Sequence, residues 1–116
     1  MTDKIRTGNT GETLAADFLQ QKGFEVVVRN YRYKHSEIDL IVKQNNMLVF
    51  VEVKTRSSSS YGEPEAFVDS RKASKIIEGA EQYVYENNWN GNIRFDIVSV
   101  KIGANSEIVH FEDAFH

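Results

Sequence analysis

Two acids and a lysine carry the chemical interest of this sequence. Asp39 lies in Ser36–Gln44 (Ser-Glu-Ile-Asp-Leu-Ile-Val-Lys-Gln), and Glu52 and Lys54 lie in Met47–Thr55 (Met-Leu-Val-Phe-Val-Glu-Val-Lys-Thr). The second segment is an apolar run of high strand propensity that ends in two opposite charges on one face. A buried charge needs a partner or a metal. Asn45-Asn46 separates the segments, and Asn tolerates the positive φ of a tight hairpin turn. A turn centred there pairs Gln44 with Met47. Counting outward then sets Asp39 opposite Glu52 and Glu37 opposite Lys54, with all four on one face. Carboxylates directly across a ladder repel. A divalent cation between them would convert that repulsion into binding, with Lys54 beside the same site. The alternative for Lys54 is a cross-strand ion pair with Glu37, worth about 0.2–1 kcal/mol.

The elements that must position these groups follow from periodicity. A helix is predicted from near Thr10 to Lys22, after a loose polar start over residues 1–9. Leu14, Phe18 and Leu19 recur at helical spacing, and Gly23 is a natural stop. Glu12 starts on the core-facing side of that helix; it is either a site residue or a first-turn acid favoured by the helix dipole. Phe24 to Tyr33 reads as a strand. In the hairpin of 36–44 with 47–55, Ile38, Leu40 and Val42 fall on one face and Ile41, Leu48 and Phe50 on the other. Apolar residues on both faces require helices on both sides of the sheet.

Arg56 to Glu65 reads as a loop, with a serine run at Ser57–Ser60, a turn signal at Tyr61-Gly62 and the sole proline, Pro64. A second helix is predicted from an N-cap at Asp69 or Ser70 to about Asn87, with an apolar face of Ala73, Ile76, Ile77, Ala80 and Val84. Ile93 to Ile102 is a strand, Gly103 to Ser106 a turn and Glu107 to Phe111 a short last strand. The predicted order is α-β-β-β-α-β-β. The first three strands form an antiparallel meander, and the helical crossover makes the fourth parallel to the third. The expected fold is α/β, with a central mixed sheet flanked by helices.

The chain has 116 residues, which suits one domain over 1–116. It is 41% hydrophobic and 27% charged, a globular balance. There is no cysteine, which excludes disulfides, thiolate zinc sites and cysteine nucleophiles. No apolar run approaches the roughly 20 residues of a membrane span. The opening Met-Thr-Asp-Lys-Ile-Arg lacks a signal peptide's apolar stretch, so a cytoplasmic location is expected. The net charge of -3 gives no bulk attraction to nucleic acid, so any such contact needs a local patch. Candidate phosphate contacts are Arg29, Arg32, Lys34 and Arg56, with Arg71, Lys72 and Lys75 at the start of the second helix. There cations oppose the macrodipole unless an anion is held. The alternative is a set of solvated basic ends.

Taken together, Glu12, Asp39 and Glu52-Val53-Lys54 resemble the PD-(D/E)xK nuclease superfamily of restriction endonucleases and archaeal-type Holliday junction resolvases. At closer range the chain resembles the YraN family of small predicted endonucleases. The matching stretches are Gly11-Glu12-Thr13-Leu14-Ala15-Ala16, Arg29-Asn30-Tyr31-Arg32, Glu37-Ile38-Asp39-Leu40-Ile41, Phe50-Val51-Glu52-Val53-Lys54-Thr55-Arg56, Tyr61-Gly62, Arg71-Lys72, Arg94-Phe95-Asp96 and Ala114-Phe115. Ile38 stands where the superfamily motif has proline.

The resemblance implies a restriction endonuclease-like fold and a metal-dependent DNA endonuclease. Mg²⁺ or Mn²⁺ would be held by Asp39, Glu52 and the Val53 carbonyl, and by Glu12 directly or through water, with Lys54 positioning the attacking water or stabilising charge on phosphorus. It also implies DNA as partner, with branched, flapped or single-stranded intermediates of repair or recombination as substrates, and a possible homodimer or repair-protein partner. The rival reading is a non-catalytic nucleic-acid- or protein-binding module that retains the nuclease fold.

Overall fold

A computed structural model describes residues 3–57, 62–64 and 66–116. Its elements are α1 (Asp3–Gln21), β1 (Glu25–Tyr33), β2 (Ser36–Gln44), β3 (Met47–Ser57), α2 (Ser70–Glu86), β4 (Asn92–Ile102) and β5 (Glu107–Phe111). The fold is α/β, with one five-stranded mixed sheet in the order β1-β2-β3-β4-β5. The β1, β2 and β3 strands pair antiparallel, β3 and β4 parallel, and β4 and β5 antiparallel, so the predicted meander and crossover are both present.

Two boundaries differ from the sequence reading. The first helix begins at Asp3, so residues 3–9 belong to it rather than to a loose start. The third strand continues through Arg56 to Ser57, because its parallel pairing with β4 runs on to Ile102. The rest of the serine run and Tyr61 lie outside the described residues.

The ends of the helices follow local rules. Gly23, at φ 97°, stops α1. Gly23 N–H donates to the Gln20 carbonyl at 3.0 Å and Phe24 N–H to the Leu19 carbonyl at 3.0 Å. This is a Schellman stop that seats Phe24 against Leu19 in one apolar cluster. Asp69 caps α2, accepting from Lys72 N–H at 2.9 Å.

The two helices cover opposite faces. The α1 side buries Ala15, Ala16, Leu19, Leu40, Val42, Val49, Val51, Val98 and Val100. The α2 side buries Ile38, Ile41, Leu48, Phe50, Ile76, Ala80, Tyr83, Phe95, Ile97 and Phe115. Ile38 therefore shares a face with Ile41, not with Leu40 and Val42 as strict alternation predicts. The break has a partner on β1, where Val28 and Tyr31 also face α2. Between them Asn30 takes φ 55°, which removes one step of the two-residue period. The irregular point on β2 is Asp39.

Asp96, on β4, is fully buried and is held from three directions. Arg94 Nε and Nη2 donate to its two oxygens at 2.8 and 2.9 Å. Asp113 N–H donates at 3.0 Å. His110 Nε2 lies 2.7 Å from Oδ2. Lys22 Nζ donates to His110 Nδ1 at 2.8 Å, which leaves the Nε2 proton for Asp96. These bonds lower the Asp96 pKa although burial pushes it up. The knot ties β4, β5 and the residues after β5 to the end of α1. Asp96→Ala leaves the buried His110 imidazole and Asp113 N–H without their acceptor and Arg94 with Glu112 alone, and should cost about 3–5 kcal/mol in urea unfolding. A loss below about 1 kcal/mol would show that the knot is not structural.

Candidate functional site

The site is a fork in the sheet. The β2–β3 pairing runs from Gln44–Met47 to Leu40–Val51 and stops there. Beyond that point β2 stays paired to β1 as far as Ser36–Tyr33, and β3 stays paired to β4 as far as Ser57–Ile102. The two halves of the sheet part between β2 and β3, and Asp39 and Glu52 are the first residues past the split. Val53 N–H, which has lost its cross-strand carbonyl, donates to Asp39 Oδ2 at 2.8 Å instead.

A cleft of about 330 Å³ opens at the fork, lined by Glu12, Glu37, Asp39, Glu52, Val53, Thr55 and Lys72. Glu12 reaches it from α1 and Lys72 from α2, so both layers contribute. Gly11 allows the approach of α1, because a Cβ there would strike the Thr55 side chain.

The electrostatics centre on the carboxyl pair. Glu52 is 4% exposed and forms an ion pair with Lys72 Nζ. Burial, followed by the hydrogen bond and charge of Glu52, pushes the Asp39 carboxyl from 3.8 up to about 8, against the pull of Val53 N–H. For Lys72, burial works against the charged form, but the hydrogen bond and charge of Glu52 prevail and its pKa is raised. The arrangement can hold a proton or a cation between two oxygens at neutral pH.

The other candidates are placed as follows. Lys54 is half-buried on β3 and is not among the residues lining the cleft. Glu37 lies 3.7 Å from Arg32 Nη2, with both side chains largely exposed. Arg29 donates to Thr13 Oγ1 at 3.1 Å, beside a second cavity that shares Glu12 with the first. Lys34 lies over the Tyr33 ring, 5.2 Å from its centroid. Arg56 donates to the Gly62 carbonyl at 3.0 Å. Arg71 and Lys75 are exposed on the first turns of α2. Among the described residues, Lys72 is the one cation that lines the cleft. Its place beside Glu52 was not anticipated; the one hint in the sequence is the acid-free, basic first turn of α2.

The profile of the uncharacterised protein family UPF0102 matches residues 11–100. The chain belongs to this family. A UPF0102 protein of Flavobacterium psychrophilum is 43% identical over all of this chain and 98% of its own length. One from Cytophaga hutchinsonii is 46% identical over 84% of this chain and 87% of its own. The family membership therefore agrees with the resemblance to YraN proteins, and the matched span holds every cleft residue. Among solved structures, SfsA of Pyrococcus furiosus, in complex with Ca²⁺, aligns with 97% of this chain at TM-score 0.42 and 12% identity. This chain spans 64% of SfsA.

The raised Asp39 carboxyl gives a signed pH dependence. Between its ordinary 3.8 and about 8 the folded state keeps a proton that the unfolded chain releases, so in metal-free protein the site loses stability as pH rises through that window. Asp39→Asn removes the titration and keeps an oxygen for Val53 N–H. The variant should match wild type near pH 4 and exceed it by about 1–3 kcal/mol near pH 8. A stability difference independent of pH in denaturant titrations would contradict this account.

Proposed function

We propose that the chain is a metal-dependent nuclease that cleaves DNA phosphodiester bonds. The supporting observation is the Asp39–Glu52 pair, two acids kept together at the fork at the cost of a raised carboxyl pKa. A divalent cation relieves that cost. The available donors are all hard oxygens, which suits Mg²⁺ or Mn²⁺. Asp39, Glu52 and the Val53 carbonyl would make the direct contacts. Among the described residues no three acidic or imidazole groups already form a ligand cluster, so Glu12 would act from the far wall of the cleft.

Bound there, the cation supplies charge that polarises the phosphate and lowers the pKa of the attacking water. The protein's own groups do the rest. Asp39 and Glu52 fix the position of the reacting phosphate through the charge they hold. Lys54, close by on β3, meets negative charge building on phosphorus. Arg29, Arg32, Lys34, Arg56, Arg71 and Lys75 hold flanking phosphates, which positions DNA without reading bases. Such a surface favours branched, flapped or single-stranded DNA. Paired cuts at a four-way junction would need a symmetric homodimer. With a net charge of -3, affinity should fall steeply with salt.

The test is a cleavage panel at low salt with Mg²⁺ or Mn²⁺ across duplex, single-stranded, flap and four-way-junction DNA, plus RNA. Asp39→Ala and Lys54→Ala should each lower the rate about 100-fold, and Glu12→Gln should lower both rate and metal affinity. Equal cleavage by wild type and all variants would identify a contaminant and remove the assignment. DNA binding as tight in EDTA as in Mg²⁺, with no cleavage, would point to a binding module. Preference for RNA or for a specific duplex sequence would overturn the substrate class.

A further inference from the structure

We propose that Lys72 is the built-in counter-ion of this site, standing in for the divalent cation until one arrives and so setting how tightly the metal is held. The inference rests on the proposed metal site and concerns a residue outside the Glu-x-Lys set. Lys72 Nζ pairs with Glu52 Oε2 in the same cleft as Asp39 and Glu12. The pair is lopsided: the Glu52 side chain is 4% exposed and that of Lys72 is 51% exposed. Glu52 cannot leave the interior, whereas Lys72 regains water when it withdraws, and the cost falls on Glu52 unless a cation takes its place. A lysine that reaches in from solvent to neutralise a buried acid is therefore an exchangeable partner.

The backbone supports such an exchange. Asp69 pins Lys72 N–H, which fixes the root of the side chain while its four methylenes stay free to swing. The first turn of α2 contains no acid, and the N-cap carboxylate of Asp69 is already engaged by Lys72 N–H. A cation entering between Asp39 and Glu52 meets the oxygen that Lys72 holds, so the two compete for one place. The apparent metal affinity is then the intrinsic affinity reduced by the fraction of molecules in which Lys72 has withdrawn. With the metal in place, Lys72 faces the cleft mouth, where an anionic substrate would lie.

The experiment is Mn²⁺ calorimetry on the full chain, with thermal unfolding in parallel, for wild type, Lys72→Met, Lys72→Arg and Lys75→Met. Lys72→Met should bind Mn²⁺ roughly tenfold more tightly than wild type. Its metal-free melting temperature should fall below wild type, and Mn²⁺ should raise it by more. Lys72→Arg keeps the charge and should stay within about threefold of wild type. Lys75→Met, exposed one turn on, should leave affinity unchanged. Wild-type affinity that is measurable but not tightened in Lys72→Met overturns the counter-ion role alone. An equal gain in Lys75→Met also overturns it, by showing a general charge effect. No Mn²⁺ binding by any of the four overturns this role together with the metal site.

Discussion

Two carboxyl groups share one buried place where the central sheet divides, and the structure is arranged around that repulsion. A continuous β2–β3 ladder would set Asp39 and Glu52 opposite each other with no room for a third group. Ending the ladder at Leu40–Val51 frees Val53 N–H to serve Asp39 and opens space for side chains from both helical layers. The splay is affordable because each half of the sheet keeps its outer partner, β1 for β2 and β4 for β3.

Comparison of the buried Asp96 with the half-buried Asp39 shows how context decides what such a group does. Asp96 accepts from a bidentate arginine, a histidine and a backbone N–H, and is held ionised below the usual carboxylate range. Asp39 has one backbone donor and an acidic neighbour, and its carboxyl moves the other way. A group surrounded by donors is a fastener. A group short of donors has capacity left for an external cation, which is why the chemistry is sought at Asp39 and the stability at Asp96.

Much of this was legible in the sequence because local signals and tertiary packing agree. Asn45-Asn46 marked the hairpin and gave the observed Gln44–Met47 register, from which the juxtaposition of Asp39 and Glu52 follows. Apolar residues on both faces of the hairpin required two helical layers, and both are present. The failures lie where a regular period stops. Counting by twos placed Ile38 with Leu40, because no composition signal announced that Asn30 would take a positive φ and turn both strands over. The same counting set Glu37 opposite Lys54, past the point where the strands separate; Glu37 lines the cleft and Lys54 does not. The entry of Lys72 was hidden for another reason: helix docking, not strand register, sets it, and spacing along one element does not report how two elements meet. The early start of α1 was missed because its first turns lack an apolar stripe.

The bonds that close the sheet onto its last residues bear on the timing of folding. Asp113 N–H serves Asp96, Ala114 N–H donates to the Phe95 carbonyl at 2.7 Å, and Phe115 is buried beside Phe95. Until those residues dock, Asp96 has only the Arg94 guanidinium of its own strand, and Phe95 lacks its cover. The β1–β2–β3 meander forms from contacts close in sequence, whereas β4 must wait both for the crossover that sets it beside β3 and for residues 113–115. The fork, whose β3 arm is braced by β4, is therefore a late product of folding, and the chain passes through a stage with its sheet begun and its cleft unfinished.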